Sequence, residues 1–279
     1  MDRLTLVLLM VYAMISLAVM QVMADTDKQE EANDMQMAGY IKIIGQGGEG
    51  KSEKIQEKPQ QNLKIPTPRS CLDHLKNGET RTNFYTIMTP KGPQEVFCDL
   101  RSEPGSAWTL VLSHRMEYRY KNTIAPFKKP LTMNIPVNEK SPNYIMYRMT
   151  LDQMSNIKSQ STHWRVTCNG ASRVDYRDYL RVRFADLDPL TFTGAGVCKK
   201  VEYINVRGHV GIKVTVPFWQ MTNKYILHHD SSAKRCSFGA SAGYVSSEDN
   251  FGFYKSINRK FRCSASDYST SNMWFGAYL

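Results

Sequence analysis

Gly239-Ala240-Ser241-Ala242-Gly243 has the G-x-S-x-G spacing of a nucleophile elbow, in which a serine on a sharp turn is activated by a histidine. The hydrolase fold that uses this turn needs an acid and then a histidine after the serine. Here the last histidine is His229, upstream of Ser241. A His-Asp-Ser order through His209 or His228, Asp230 and Ser241 has no local signature, so a non-enzymatic chain is expected. Gly45-Gln46-Gly47-Gly48-Glu49-Gly50-Lys51-Ser52 satisfies a second motif, the phosphate loop G-x-x-x-x-G-K-S. That loop must open a helix whose amide end holds the phosphates. The residues that follow, SEKIQEKPQQN, meet Pro59 after about two turns and offer almost no apolar face. The glycines read as a flexible tether.

The remaining candidates are ligands for ions. His228-His229-Asp230 is the densest cluster, but adjacent histidines on a strand point to opposite faces, and the expectation is a strand end with surface histidines. Asp186 and Asp188 share one side of an extended chain, and Glu248, Asp249 and Asn250 gather three oxygen donors. Calcium takes six to eight oxygens from several positions, so Glu248, Asp249 and Asn250 are candidate calcium ligands, and calcium is the cofactor the sequence leaves open. Among the cations, Arg173, Arg177 and Arg181 recur every fourth residue and would line one face of a helix, with Asp175 and Asp178 neutralising part of it. Together with Lys199 and Lys200 they are the candidate contacts for a polyanion. Arg115, Arg119 and Lys121 form a further cluster, as do Arg259, Lys260 and Arg262, several of them beside Tyr or Phe.

What must position these groups follows from the chain as a whole. With 279 residues, 42% apolar, 11% aromatic and 22% charged, it can bury a core and is neither disordered nor collagen-like. Arg3 precedes an uncharged run over residues 4–20, and Val22-Met23-Ala24 supplies a cleavage pattern, so residues 1–24 are expected to be a signal peptide. Residues 25–70 read as a flexible linker or pro-segment with 8 acids and 7 bases. The rest, 71–279, then carries 28 bases against 17 acids, a net +11. In a cytosolic chain such a balance would point to nucleic acid. A secreted chain instead meets anionic polysaccharides and acidic matrix proteins, so the expected partners are extracellular polyanions, glycans or matrix proteins, with no nucleic acid and no stable membrane insertion after signal cleavage. No Asn-x-Ser/Thr sequon occurs.

All six cysteines, Cys71, Cys98, Cys168, Cys198, Cys236 and Cys263, follow the linker, and in an oxidising compartment an even number reads as three disulfides. Fifteen pairings are open, and spacing does not choose among them. A sequential scheme, 71–98, 168–198 and 236–263, closes loops of 27, 30 and 27 residues. Residues 83–88 and 95–98 flank Pro90-Lys91-Gly92-Pro93 as a hairpin, and Trp108-Thr109-Leu110-Val111-Leu112 is a further strand. Thr150 followed by Gln153 forms a capping box before Leu151, Met154 and Ile157 at helical spacing. Strands are expected over 163–168, 201–206 and 210–216. The class is α+β, disulfide-braced, mostly antiparallel with short helices, and residues 190–279 either complete the same domain or form a separate β-rich subdomain.

Cys71-Leu72-Asp73, Phe84-Tyr85-Thr86-Ile87, Val96-Phe97-Cys98-Asp99-Leu100 and Ala107-Trp108-Thr109-Leu110-Val111 together resemble the opening of a fibrinogen C-terminal-type domain. The resemblance is strong over residues 70–115, looser over 140–185, and implies a Cys71–Cys98 disulfide. Farther on, the family's aspartate-rich calcium loop, closely followed by two cysteines, is not present. The tail, with Ser246-Ser247-Glu248-Asp249-Asn250-Phe251-Gly252-Phe253-Tyr254, Phe261-Arg262-Cys263 and Asn272-Met273-Trp274-Phe275-Gly276, resembles secreted fibrinogen-like proteins of corals and anemones, including some from the organic matrix of coral skeletons. This implies a secreted, non-catalytic extracellular matrix protein that binds acidic polymers through its basic domain. The alternative it carries is a calcium-dependent, lectin-like glycan-recognition protein.

Overall fold

The structure, a computed structural model, describes residues 67–170, 174–222, 224–229, 236–238 and 250–279. The signal peptide, nearly all of the linker, residues 45–52 and 239–243, and Arg173, Asp230, Glu248 and Asp249 lie outside the described residues.

Helix α1 (Cys71–Lys76) starts where the Ser70 hydroxyl accepts the Asp73 amide. It leads into an antiparallel hairpin of β1 (Asn83–Thr89) and β2 (Gly92–Asp99), closed at Thr89 and Gly92. Gly92 sits at φ +105°, a conformation that favours glycine, and its carbonyl accepts the Thr89 hydroxyl. β3 (Ser106–Arg115) follows, then β4 (Met146–Arg148) and helix α2 (Leu151–Ser159). The Thr150 and Gln153 side chains cap the start of α2 reciprocally, as their spacing predicts. β5 (His163–Cys168) and β6 (Tyr179–Arg183) come next, followed by β7 (Gly194–Lys200), β8 (Tyr203–Val206) and β9 (His209–Ile212). β10 (Thr215–Met221), β11 (Tyr225–His229) and β12 (Thr270–Tyr278) complete the order.

Among the described residues these strands make two sheets. The larger runs β1-β2-β3-β12-β5-β6-β8-β9, with β4 also on β3, and the smaller is β11-β10-β7. Every pairing is antiparallel. The protein is thus a disulfide-braced α+β fold, mostly antiparallel β with short helices. β12 lies between β3 and β5, and nearly all of its residues and those of β3 are buried. Strands covered on both faces need not alternate apolar with polar residues. Gly276 permits this closeness, because a Cβ there would come within 2.3 Å of the Ala107 carbonyl oxygen and 2.6 Å of the Trp108 ring.

The disulfides join Cys71 to Cys98, Cys168 to Cys263 and Cys198 to Cys236. The last two correct the sequential scheme of 168–198 and 236–263. β5 and β12 are neighbours, so Cys168 at the end of β5 lies beside the chain that enters β12, where Cys263 sits. No cysteine is free, a pattern of proteins that fold outside the reducing cytosol. No helix among the described residues is long and apolar enough to cross a membrane.

Candidate functional site

The arginine stripe does not form. Residues 174–178 are irregular, with Tyr176 at φ +58° and Asp178 at φ +51°, and Arg181 lies on β6. Arg177 is exposed in the loop, whereas Arg181 donates to the carboxylates of Glu103 and Glu202, each at 3.2 Å, and to the Tyr278 hydroxyl at 2.6 Å. Lys199 and Lys200 are on β7, where the Lys199 ammonium lies 5.5 Å from the Phe192 ring centre and Lys200 is exposed.

Arg181 borders a buried charge network that nothing in the spacing announced. Arg165, on β5, is fully buried between the rings of Trp108 and Trp274, with its guanidinium carbon 4.5 and 5.3 Å from their centres. It donates to Asp99 and to Glu103, the latter at 2.7 Å, and Tyr179 and Tyr278 also donate to Glu103. Burial opposes the charge on Asp99, but Arg165 and Ser102 outweigh it and hold the carboxyl below its usual range. Burial, reinforced by Glu103, keeps the Tyr179 phenol protonated well above its ordinary pKa. A network this closed to water fixes the core and presents no substrate site.

Among the ion-ligand candidates that fall in the described residues, the two aspartates take different cationic partners. Asp186 pairs with Arg183, while Asp188 pairs with Lys158. His228 and His229 are buried rather than at the surface, their Nδ1 atoms at 2.8 Å from the carbonyls of Ile226 and Pro217. Asn250 is buried and exchanges backbone hydrogen bonds with His229. Among the described residues no three His, Cys, Asp or Glu side chains gather as a metal site.

Two other basic clusters are brought together. The segment 115–129 contains two 3-10 turns, Met116–Tyr118 and Asn122–Lys128, and lies against residues 253–268. Arg119 pairs with Asp267 and covers the Tyr120 ring at 4.7 Å, and the Tyr120 hydroxyl donates to the Lys255 carbonyl at 2.8 Å. Lys128 places its ammonium 4.9 Å from the centre of the Phe253 ring. Residues 115–129 and 250–268 hold 9 bases and 2 acids, a net +7. Both acids are committed, Glu117 to Arg115 and Asp267 to Arg119. Lys121, Lys255, Arg259 and Lys260 are exposed, and Tyr120 and Tyr268 are 73% and 76% exposed.

Buried groups hold this surface in place. Arg148, on β4, is fully buried and donates to the carbonyls of Pro126, Lys129, Pro130 and Met133, so one guanidinium fixes the loop that carries Lys128 and Lys129. Burial lowers its pKa to about 10, which still leaves it charged at neutral pH. His114, at the end of β3, packs against Phe127 on one segment and Phe253 on the other, at 5.5 and 5.9 Å. Burial depresses its pKa to about 4, with a smaller opposing effect from its hydrogen bond to the Gly252 backbone.

No family model matches the chain. It is similar to Tenascin of Gallus gallus, with 24% identity over 224 residues that cover 76% of this chain and 11% of that protein. The chain therefore spans about a ninth of the length of the curated relative it matches.

Proposed function

We propose that this chain is a secreted, non-catalytic extracellular matrix protein that binds acidic matrix polymers through the surface built from residues 115–129 and 250–268. The carrying observation is the charge: a net +7 out of the +11 of residues 71–279 falls in these two adjoining segments. A field so concentrated draws and retains polyanions. The exposed rings of Tyr120 and Tyr268 add flat apolar area beside the cations. The likeness to Tenascin is in keeping with a matrix setting. The cnidarian resemblance of the tail adds its own setting, a fibrinogen-like component of the organic matrix of a coral skeleton. In that setting a basic domain acts as an adaptor between acidic macromolecules, since direct calcium concentration needs the opposite charge.

The test is retention of the purified mature protein on immobilised dextran sulfate and polyaspartate, with uncharged dextran as the control. Binding at about 0.15 M NaCl, release by about 0.5 M and indifference to EDTA are expected, because exposed charge pairs are heavily screened at the higher salt. Failure to bind either polyanion, or retention at high salt that EDTA abolishes, would overturn the reading in favour of no polymer ligand or of a calcium-dependent lectin.

A further inference from the structure

The three disulfides differ in what can reach them. Cys71 and Cys98 are 1% and 0% exposed, and the half-buried Cys168 is joined to Cys263 at 0%. Cys198, by contrast, is exposed and Cys236 half-buried. β7, which carries Cys198, is an outer strand of the smaller sheet. The chain after Cys236 has holds of its own. The Ser237 amide donates to the Thr215 hydroxyl at 2.9 Å, the Ser237 hydroxyl accepts the Thr215 amide at 2.8 Å, and the Phe238 amide donates to the Thr215 carbonyl at 3.0 Å. Phe238 is buried, with its ring 4.8 Å from that of His209. Breaking the Cys198–Cys236 bond therefore leaves these contacts in place and does not require the fold to open.

The charge beside this bond selects its reactant. Lys199 and Lys200 follow Cys198 directly, and Lys200 stands on the same side of β7, about 7 Å along the strand. In the sequence, Cys236 follows Lys234 and Arg235. The carboxylate nearest to Cys198 in the chain, Glu202, is engaged by Arg181 at 3.2 Å and by His163 at 3.1 Å. Exchange requires one thiolate to attack a sulfur and another to leave. Neighbouring cations draw an anionic attacker and stabilise the departing thiolate. We infer that Cys198–Cys236 is a site of thiol–disulfide exchange that favours small anionic thiols. A thiolate RS⁻ attacks the exposed Cys198 sulfur and forms a mixed disulfide as the bond to Cys236 breaks. The electron pair leaves on the Cys236 sulfur, which takes a proton from water. A second RS⁻ attacks the R sulfur of the mixed disulfide, releasing RSSR and the Cys198 thiolate, which is protonated in turn. Two thiols are thereby oxidised to one disulfide, and the same two electrons reduce the protein's bond.

The experiment treats the full mature protein separately with mercaptopropionate, mercaptoethanol and cysteamine, whose thiolate forms carry two, one and no net negative charges. Released cysteines are alkylated at intervals and located by peptide mass spectrometry. Each rate is divided by that of the same thiol on hydroxyethyl disulfide, an uncharged reference that removes intrinsic reactivity. Cys198 and Cys236 should be labelled first, with the other two disulfides closed and the far-UV circular dichroism unchanged. At about 0.01 M ionic strength, where screening sets in only beyond about 30 Å, mercaptopropionate should outpace cysteamine roughly fivefold or more, with mercaptoethanol between them. In about 0.5 M NaCl the spread should fall below about twofold. Lys199→Gln with Lys200→Gln should narrow the low-salt spread, whereas Lys121→Gln with Lys255→Gln, which removes the same charge elsewhere, should leave it as in the parent. Labelling of either other disulfide as early as Cys198–Cys236, equal rates for the three thiols, or equal narrowing by the two lysine pairs would each overturn the inference. None of these readouts depends on polymer binding, so the site stands or falls apart from the proposed function.

Discussion

Arg165 donates to Glu103 at 2.7 Å, and neither side chain has appreciable access to water. The pair sits where β5 meets the chain before β3, with the Trp108 and Trp274 rings against the guanidinium. Taking such charges from water is costly, and their mutual attraction returns that cost only while every partner is present. Arg165→Met would leave Asp99 and Glu103 buried without their principal cation. We expect a loss of about 3–5 kcal/mol in urea unfolding, the range for breaking a buried pair from one side. A loss below about 1 kcal/mol would show that the network relaxes or admits water.

The disulfides should differ in their contributions. Chain-entropy reasoning assigns about 4.7 kcal/mol to Cys168–Cys263, which spans 95 residues, and about 3.6 kcal/mol to Cys71–Cys98, which spans 27. Replacing Cys168 and Cys263 together by Ser should therefore lower the unfolding free energy more than replacing Cys71 and Cys98. Non-reducing peptide mapping checks the pairing directly, and a peptide joining Cys168 to Cys198 would contradict it.

His114 gives the basic surface a pH dependence. Its folded pKa is about 4 against an ordinary 6.5, with burial as the main cause. The unfolded chain thus takes up a proton at a pH where the folded protein still refuses it. The contribution is fully present above pH 6.5, falls as the pH drops from 6.5 to 4, and is lost below that, amounting to about 3 kcal/mol. Because the ring packs against both Phe127 and Phe253, acid should loosen the two basic segments together. His114→Phe should flatten the stability profile between pH 6.5 and 4, and an unchanged slope would assign the acid sensitivity to other groups.

Local chemistry was legible in the sequence where neighbours in the chain decide the outcome. Thr150 and Gln153 announced the cap of α2, and His163 to Cys168 read as a strand because both signals are satisfied within a few residues. What the sequence hid depends on partners far along the chain. Cys168 meets Cys263 because β12 lies beside β5. Four-residue spacing at Arg173, Arg177 and Arg181 suggested a helix face, yet Tyr176 and Asp178 adopt positive φ and Arg181 enters a strand facing Glu103 and Glu202. His228 and His229 alternate along β11, but both are buried, with the cross-strand Trp219 ring stacked beside His228 and Phe218 beside His229. The two basic clusters were visible as clusters. Their meeting, through Arg119 with Asp267 and Tyr120 with Lys255, required the fold.

The outer edge of β1 is closed by small polar contacts. The His74 Nε2 atom lies 2.9 Å from the Thr86 carbonyl, the Asn83 side chain accepts the Phe84 amide, and the Pro68 carbonyl accepts the Met88 amide. An open strand edge is a template for pairing with another chain. His74→Ala with Asn83→Ala should uncover part of this edge beside the exposed Phe84 and Met88. The variant should self-associate at concentrations where the parent does not, as sedimentation velocity would show. An unchanged sedimentation coefficient would mean that Pro68 alone suffices.

Lys121 and Lys255 bear most directly on the polymer-binding reading. Both are exposed and lie on the two segments that Tyr120 joins, where Arg119 already has an acidic partner and these lysines do not repeat that pairing in any described ion pair. A basic residue close to an anionic surface contributes about 1 kcal/mol. Neutralising both by Lys121→Gln and Lys255→Gln should therefore weaken dextran sulfate binding by roughly thirtyfold at low salt. The difference should shrink as salt rises, because screening removes what the lysines supplied. Arg177→Gln with Lys200→Gln changes the net charge equally but lies outside the two segments, and serves as the comparison. Equal weakening by both pairs would mean that overall charge, and not this surface, holds the polymer.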